Sequence, residues 1–145
     1  MKEKLLISAC LLGENCKYNG GNNYNAAVEA LKERCDFVPV CPEQDGGLPT
    51  PRTPSERLRG RVVSKDGKDV TAQFTKGAQL ALEAALENGC KTALLKERSP
   101  SCGCGTIYDG SFSGTVVPGD GVTAELLKQH GITIYGESQI TELMR

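Results

Sequence analysis

Residues Phe74–Leu95, FTKGAQLALEAALENGCKTALL, indicate the fold class because they contain a helix followed at once by a strand. The apolar side chains recur with the 3.6-residue period of an amphipathic helix, at Phe74, Ala78, Ala81, Leu82 and Ala85. Asn88-Gly89 is predicted to end the helix, since glycine adopts a left-handed C-cap without strain. Thr92–Leu95 is then a short apolar run typical of buried parallel strands.

The flanking sequence continues this alternation of strands and helices. Further strands are predicted at Lys4–Ala9, Phe37–Val40, Val116–Val117 and Ile132–Tyr135. Further helices are predicted from an Asn25 N-cap to Arg34 and from Val122 to His130, with a polar tail after the last strand. Pro39 lacks a ladder donor, which favours an edge position for its strand. We expect one three-layer α/β domain over residues 1–145, with a mostly parallel, Rossmann-like open sheet between helices.

Two segments between these elements are rich in turn residues. Pro42–Glu56, PEQDGGLPTPRTPSE, contains too much glycine and proline for a regular element and is predicted to be a binding loop. Arg61–Ser64 and Lys68–Val70 are predicted to pair as a hairpin, because Asp66-Gly67 between them suits the positive φ angles of a tight turn.

Composition and charge exclude several functional classes. The 145 residues match the common size of one domain, and the 17 basic and 18 acidic residues leave a net charge of -1. This balance argues against binding to a nucleic-acid polymer or to an anionic membrane surface. No apolar run approaches the ~20 residues of a membrane span, and the first residues do not resemble an export signal. We therefore expect a cytoplasmic protein.

Seven cysteines are the most informative part of the composition. In a reducing compartment they favour metal binding or redox chemistry over disulfides. Cys10 follows the first predicted strand, Cys41 follows the second, and Cys102 lies in the loop after the third. Because the carboxyl ends of parallel strands meet at one edge of a sheet, these three thiols are expected to converge there. The alternative is three unrelated loop thiols.

The other four cysteines and the single histidine are not predicted to be primary ligands. Cys35 and Cys90 follow helices and are predicted to be small core residues. Cys16 and Cys104 lie in the loops that carry Cys10 and Cys102, so each is a candidate for a spare ligand. His130 falls in the last turn of a helix, where it complements the helix dipole and is a poor fourth zinc ligand.

An all-thiolate site suits an iron–sulfur cluster, and three cysteine ligands leave one iron open as a Lewis acid for a soft sulfur atom. The same loops carry Glu43, a candidate general acid or base whose alternative is an ordinary solvated carboxylate. Groups that suit contact with a substrate or a cluster are Ser8, Gly47, Arg52, Ser99 and Ser101. Turn formation and turn capping explain the serines and the glycine equally well.

Several motifs together resemble a known family. They are Ser8-x-Cys10-Leu11-x-Gly13, Tyr18-Asn19-Gly20, Cys41-Pro42-Glu43 with Gly46-Gly47 and Pro51-Arg52, Ser99-Pro100-Ser101-Cys102-Gly103, Ile107-Tyr108-Asp109-Gly110-x-Phe112-x-Gly114 and Gly121-Val122-Thr123-Ala124. The combination is similar to the small bacterial domain-of-unknown-function family that contains the thiouracil desulfurases, and it spans nearly the whole chain.

The resemblance implies a catalytic 4Fe-4S cluster held by Cys10, Cys41 and Cys102 with one iron free for the substrate's sulfur. It implies non-redox desulfuration of a small thiolated base or nucleoside, such as 2-thiouracil, giving uracil and hydrosulfide. Glu43 would assist the attack of water, and Ser101 would orient the substrate or a proton transfer. Cys104 departs from the small hydroxyl residue expected at its position.

Two alternative functions stay open at this point. One is a metal-binding or sulfur-trafficking protein that holds zinc or a cluster without catalysis. The other is a thiol redox protein that uses Cys102 and Cys104.

Overall fold

The computed structural model describes residues 2–144, which contain eight strands and four α-helices. In chain order they are β1 (Glu3–Ser8), β2 (Cys35–Val40), α1 (Pro42–Asp45), β3 (Ser55–Leu58), β4 (Arg61–Ser64), α2 (Thr71–Asn88), β5 (Thr92–Leu95), β6 (Thr106–Tyr108), β7 (Val116–Pro118), α3 (Val122–Gln129), β8 (Thr133–Gly136) and α4 (Ile140–Leu143). Short 3-10 helices cover Ala9–Leu12, Ala26–Glu33 and Glu137–Gln139. Within this part of the chain, no helix has both the length and the apolar character needed to cross a bilayer.

The central sheet is all-parallel, with strand order β2-β1-β5-β8. This arrangement confirms the predicted open α/β fold, and β2 lies at the edge, as Pro39 predicted. From β1 the chain proceeds to β2 on one side and later to β5 on the other side. The connections therefore diverge beyond the carboxyl ends of β1 and β5, which is where open α/β sheets bind ligands.

Helices cover both faces of this sheet. One core lies under α2 and α3 and includes Leu6, Ala85 and Leu127, all fully buried. The core on the opposite face packs Leu5 and Ile7 of β1 against Val28 and Leu31 of the second 3-10 helix and against Ile140 of α4. Burial of the apolar side chains of β1 on both faces is the source of its uninterrupted hydrophobic run.

The structure differs from the predictions for one helix and for the C-terminal tail. The predicted helix Asn25–Arg34 is a 3-10 helix, Ala26–Glu33, and the Asn25 side chain caps it by accepting from the Ala27 amide at 3.0 Å. The predicted polar tail is also partly wrong. It forms helical turns because Ile140 buries its side chain in the core.

The predicted hairpin is present, and a further strand extends it. Arg61–Ser64 pairs with Lys68–Val70 through an antiparallel bridge between Val63 and Asp69, with backbone hydrogen bonds from Ser64 to Lys68 and from Val70 to Val62. On its other side Arg61–Ser64 pairs antiparallel with Ser55–Leu58, which the sequence did not predict. Predicting an irregular segment over Pro42–Glu56 was wrong at both ends, since α1 begins at Pro42 and β3 begins at Ser55. The short helix forms there because proline suits the first helical position.

The packing of α1 against α2 positions the loop after β2. A Cβ atom at Gly77 of α2 would clash with the backbone of Pro42, so glycine is needed for this close approach. The contact fixes the residues on either side of Pro42, which are Cys41 and Glu43.

Candidate active site

A cavity of about 550 Å³ opens at the carboxyl edge of the central sheet. Its lining includes Cys10, Cys41 and Cys102, which lie far apart in sequence, together with Cys16. The predicted convergence of the first three cysteines at one edge is therefore confirmed. Cys16, which the sequence left undecided, lies with them.

Local structure holds each of these thiols after its strand. Cys10 lies in the 3-10 helix that directly follows β1. Cys41 is the N-cap of α1, and its backbone amide donates to Asp45 Oδ2 at 3.1 Å. Cys102 lies in a tight turn in which its own amide and that of Ser101 both donate to Ser99 Oγ at 3.1 Å. Short hydrogen-bonded turns therefore set the positions of the sulfur atoms.

The thiols influence one another electrostatically. A hydrogen bond with the Cys16 thiol lowers the pKa of Cys10 to about 7 and also lowers the pKa of Cys41. The same hydrogen bonds raise the pKa of Cys16. Burial raises the pKa of Cys102 to about 12, against the opposing effect of hydrogen bonds from Ser8 and Ser101. Hydrogen bonds thus favour the thiolate form of two of the three predicted ligands, and the third lies beside the hydroxyl groups of Ser8 and Ser101.

These pKa values predict the order of alkylation in the metal-free protein. Thiolate is the reactive form, and about half of the Cys10 side chains are thiolates at pH 7. The alkylation rate of Cys10 should therefore rise as the pH passes through 7 and then level off. Cys102 should stay protonated and slow below about pH 12. Peptide mass spectrometry after timed iodoacetamide treatment measures both rates, with urea-unfolded protein as the control. Faster labelling of Cys102 would contradict the predicted order.

Beside the thiols, Glu43 forms a hydrogen-bonded pair with Ser101. Glu43 Oε2 accepts from Ser101 Oγ at 3.0 Å, and Ser101 Oγ lies 2.9 Å from Ser99 Oγ. The Ser101 hydroxyl also lies 3.6 Å from Cys102 Sγ. A carboxylate, two hydroxyls and a sulfur atom therefore form a continuous polar chain in the cavity wall, which suits proton transfer.

Arg52 holds the other side of the Glu43 carboxylate. Its Nε donates to Glu43 Oε1 at 3.1 Å, while its terminal nitrogens donate to Thr50 Oγ1 and to the Cys16 carbonyl, each at 2.9 Å, and to the Pro49 carbonyl at 3.4 Å. The Arg52 side chain is only 7% exposed. Its donors thus connect Glu43 to the loop that carries Cys16.

The other predicted contact residues occupy different surroundings. Ser8 is buried, accepts from the Lys96 amide at 2.9 Å and hydrogen-bonds to the Cys102 thiol. Ser8, Ser99 and Arg52 all line the cavity. Gly47 is exposed and does not line it, so the structure does not bring Gly47 to the other site residues.

The cysteines outside the cavity have structural surroundings. Cys90 is buried in the core under α2 and α3, and Cys35 is half-buried against the core on the opposite face of the sheet. Cys104 is half-buried against the core and is not part of the cavity lining. It is therefore separated from Cys102, which lines the cavity, although only Gly103 lies between them in the sequence. His130 is exposed at the end of α3, with Nδ1 3.0 Å from the Leu126 carbonyl.

Sequence reasoning missed an aromatic part of the cavity lining, formed by Tyr18, Tyr108 and Phe112. It also missed Asn23, whose side chain hydrogen-bonds to Cys10. The available signal was the set of family-like motifs around Tyr18-Asn19-Gly20 and Ile107–Gly114. Tyr18 and Phe112 lie in turns and Tyr108 ends β6, and none of the three belongs to a hydrophobic core.

Among residues 2–144, no group of three or more histidine, cysteine or acidic side chains is arranged around a single metal ion. The ligands of a 4Fe-4S cluster bind separate iron atoms, so they need not converge on one point.

Comparisons with known proteins agree with the motifs. The family model described as 2-thiouracil desulfurase matches residues 5–139. The uncharacterized protein YbbK of Bacillus subtilis (strain 168) is 39% identical over 150 residues, which cover 97% of this chain and 99% of the relative. The solved structure of the 4Fe-4S-dependent thiouracil desulfidase TudS is 48% identical and superposes with a TM-score of 0.91 over 99% of this chain and 96% of that chain. This chain therefore belongs to the 2-thiouracil desulfurase family.

Proposed function

We propose that this protein is an iron–sulfur-dependent desulfurase that hydrolyses the thiocarbonyl group of thiolated pyrimidines such as 2-thiouracil. The observation that carries the proposal is one cavity in which three strand-end cysteines lie beside a hydrogen-bonded Glu43–Ser101 pair. The structural similarity to a 4Fe-4S-dependent thiouracil desulfidase supports the same cofactor and substrate class.

The donor set fits a 4Fe-4S cluster. Cys10, Cys41 and Cys102 would hold it, because thiolates are the usual ligands of such clusters. Hydrogen bonds lower the pKa of Cys10 and of Cys41, and the Ser8 hydroxyl stabilises negative charge on the buried Cys102 sulfur. When bound, the cluster would supply an open iron that acts as a Lewis acid toward the substrate's sulfur.

The overall reaction needs water and no electron donor. Water supplies the oxygen of the new carbonyl group, the carbon–sulfur bond breaks, and the sulfur leaves as hydrosulfide. Glu43 Oε2 takes a proton that water loses, and the Ser101 hydroxyl, 3.0 Å away, passes a proton between that carboxylate and the sulfur side of the cavity. In becoming the carbonyl oxygen, water loses both of its protons. One proton leaves on the hydrosulfide, and the other passes from Glu43 to solvent, which balances the reaction.

The neighbouring side chains keep the catalytic pair in place. Arg52 holds Glu43 Oε1, so that Oε2 remains directed at Ser101. Ser99 holds the Ser101 turn, and Ser8 contacts the Cys102 sulfur. These contacts support positioning roles for residues that the sequence suggested as substrate-binding, and direct substrate contact by Ser8, Arg52, Ser99 or Gly47 stays a prediction.

The substrate is proposed to be a small thiolated base or nucleoside. The cavity volume of about 550 Å³ accommodates such a molecule. We also propose a cytoplasmic location, since all seven cysteines are free and a reducing compartment keeps thiols available for a cluster.

Anaerobic reconstitution with iron and sulfide tests the proposed function. The protein should gain iron, acid-labile sulfide and the broad visible absorption of a cluster. The loaded protein should then convert 2-thiouracil into equal amounts of uracil and hydrosulfide without an added reductant. Binding of zinc alone would contradict the cofactor. A loaded protein that releases no hydrosulfide from thiolated bases or nucleosides would instead be the non-catalytic metal protein.

A further inference from the structure

The backbone of Phe112 adopts an unusual conformation at the wall of the cavity. Its φ of 58° lies in the left-handed region, which residues other than glycine rarely adopt. Gly110 and Gly114 on either side also have positive φ angles, of 96° and 81°. Such a conformation in a bulky residue persists when surrounding contacts hold it, and it often marks a functional position.

Glu56 supplies these contacts from a different hairpin. Its Oε1 atom accepts from the backbone amides of Gly110 at 3.0 Å and Phe112 at 3.1 Å. The Leu58 side chain, on the same strand, fills the space where a Cβ atom of Gly110 would lie. Strand β3 therefore holds the backbone at Gly110 and Phe112 in place.

The result of this conformation is an aromatic ring presented to the cavity. Phe112 and Tyr108 line the same cavity as Glu43, Ser101 and the cysteines. Phe112 is half-buried and lies outside the three hydrophobic cores, so packing of the fold does not account for it. Flat conjugated rings stack on aromatic side chains, and a pyrimidine base is such a ring.

We propose that Phe112 binds the substrate by stacking on its pyrimidine ring, with Glu56 as the positioning residue that holds Phe112 in place. This inference rests on the proposed function for the identity of the ring. It adds a determinant of specificity that recognises planarity, separate from the sulfur atom and from the proton-transfer pair.

Two ligands that differ in ring planarity test the stacking. They are 2-thiouracil and 5,6-dihydro-2-thiouracil, which share the thiocarbonyl group, although the second lacks the planar conjugated ring. Binding is measured by anaerobic calorimetry on cluster-loaded protein in a Glu43→Gln background, where turnover is slow. Protein with Phe112 should prefer 2-thiouracil by about tenfold, Phe112→Leu should lose that preference, and Phe112→Tyr should keep it. Ser113→Ala, in the same loop, is the matched control.

Two results would overturn the stacking. In one, Phe112→Leu still binds the planar ring more tightly than the reduced ring. In the other, protein with Phe112 binds both rings equally well. Hydrosulfide release by the wild-type enzyme is measured separately. If the wild-type enzyme releases hydrosulfide but Phe112→Leu binds 2-thiouracil as tightly as protein with Phe112, the stacking is refuted and the desulfurase activity is not. Ring-dependent binding without release refutes the desulfurase activity alone.

The positioning role of Glu56 is tested by a KM and kcat comparison. Glu56→Ala should raise KM for 2-thiouracil several-fold with little change in kcat, and should speed hydrogen exchange at the Gly110 and Phe112 amides. Glu56→Gln should restore much of both, because its amide oxygen still accepts hydrogen bonds. Unchanged KM and exchange in Glu56→Ala would overturn this role.

Discussion

Replacing Glu43 with glutamine will leave the cluster in place but lower kcat for hydrosulfide release from 2-thiouracil by about 10²–10⁴-fold. The amide keeps the size of the side chain and still accepts a hydrogen bond, but it cannot take up the proton that water loses. In the wild-type protein both carboxylate oxygens are engaged, Oε1 by Arg52 and Oε2 by Ser101. The effect should therefore appear in kcat more than in iron content.

The measurement pairs anaerobic turnover with iron and sulfide content. Glu29→Gln is the matched control, because Glu29 forms an exposed ion pair with Lys32 outside the cavity. That variant should keep wild-type turnover and a full cluster. Wild-type kcat in Glu43→Gln would show that another group accepts the proton, and loss of iron would show that Glu43 acts on cluster binding instead.

Cys41→Ser will lose the cluster and, with it, all measurable desulfuration. A serine hydroxyl stays protonated near neutral pH and is a poor ligand for iron, so the remaining two thiolates cannot retain the cluster. Cys10→Ser and Cys102→Ser should have the same effect, since the proposed ligand set takes one thiolate from each of three strand ends. Visible absorption and iron analysis after anaerobic reconstitution measure the loss.

Two further cysteine variants make this prediction specific. Cys104→Ser should keep cluster and activity, because Cys104 lies outside the cavity although only Gly103 separates it from Cys102. If Cys104→Ser instead loses activity while its cluster stays intact, the thiol redox alternative is favoured. Cys16→Ser should also keep the cluster, since three ligands suffice in the proposed site. Activity that survives in Cys41→Ser would remove the proposed ligand set.

The elements with strong local patterns were predicted almost to the residue. The strand Thr92–Leu95 matches β5, and the helix predicted to end at Asn88-Gly89 matches α2 with Gly89 as its left-handed C-cap. The convergence of Cys10, Cys41 and Cys102 was also predictable, because parallel topology brings the residues that follow each strand to one edge.

Pairings and contacts between distant segments were not predictable in this way. Ser55–Leu58 contains no clear strand pattern and becomes β3 because Arg61–Ser64 is available to pair with it. The proximity of Cys16 to Cys10 and Cys41, and the exclusion of Cys104, depend on the direction in which each loop turns.

The amino-acid sequence alone determined the α/β class, the edge of the sheet that carries the site, and the family. Hydrophobic periodicity and residue order encode these properties directly. Only the tertiary structure decided that the Arg52 donors are directed at Glu43 and that Glu56 holds the strained backbone of Phe112. The physical reason is that a side chain's partner depends on its direction in space, which follows from the packing of segments far apart in the chain.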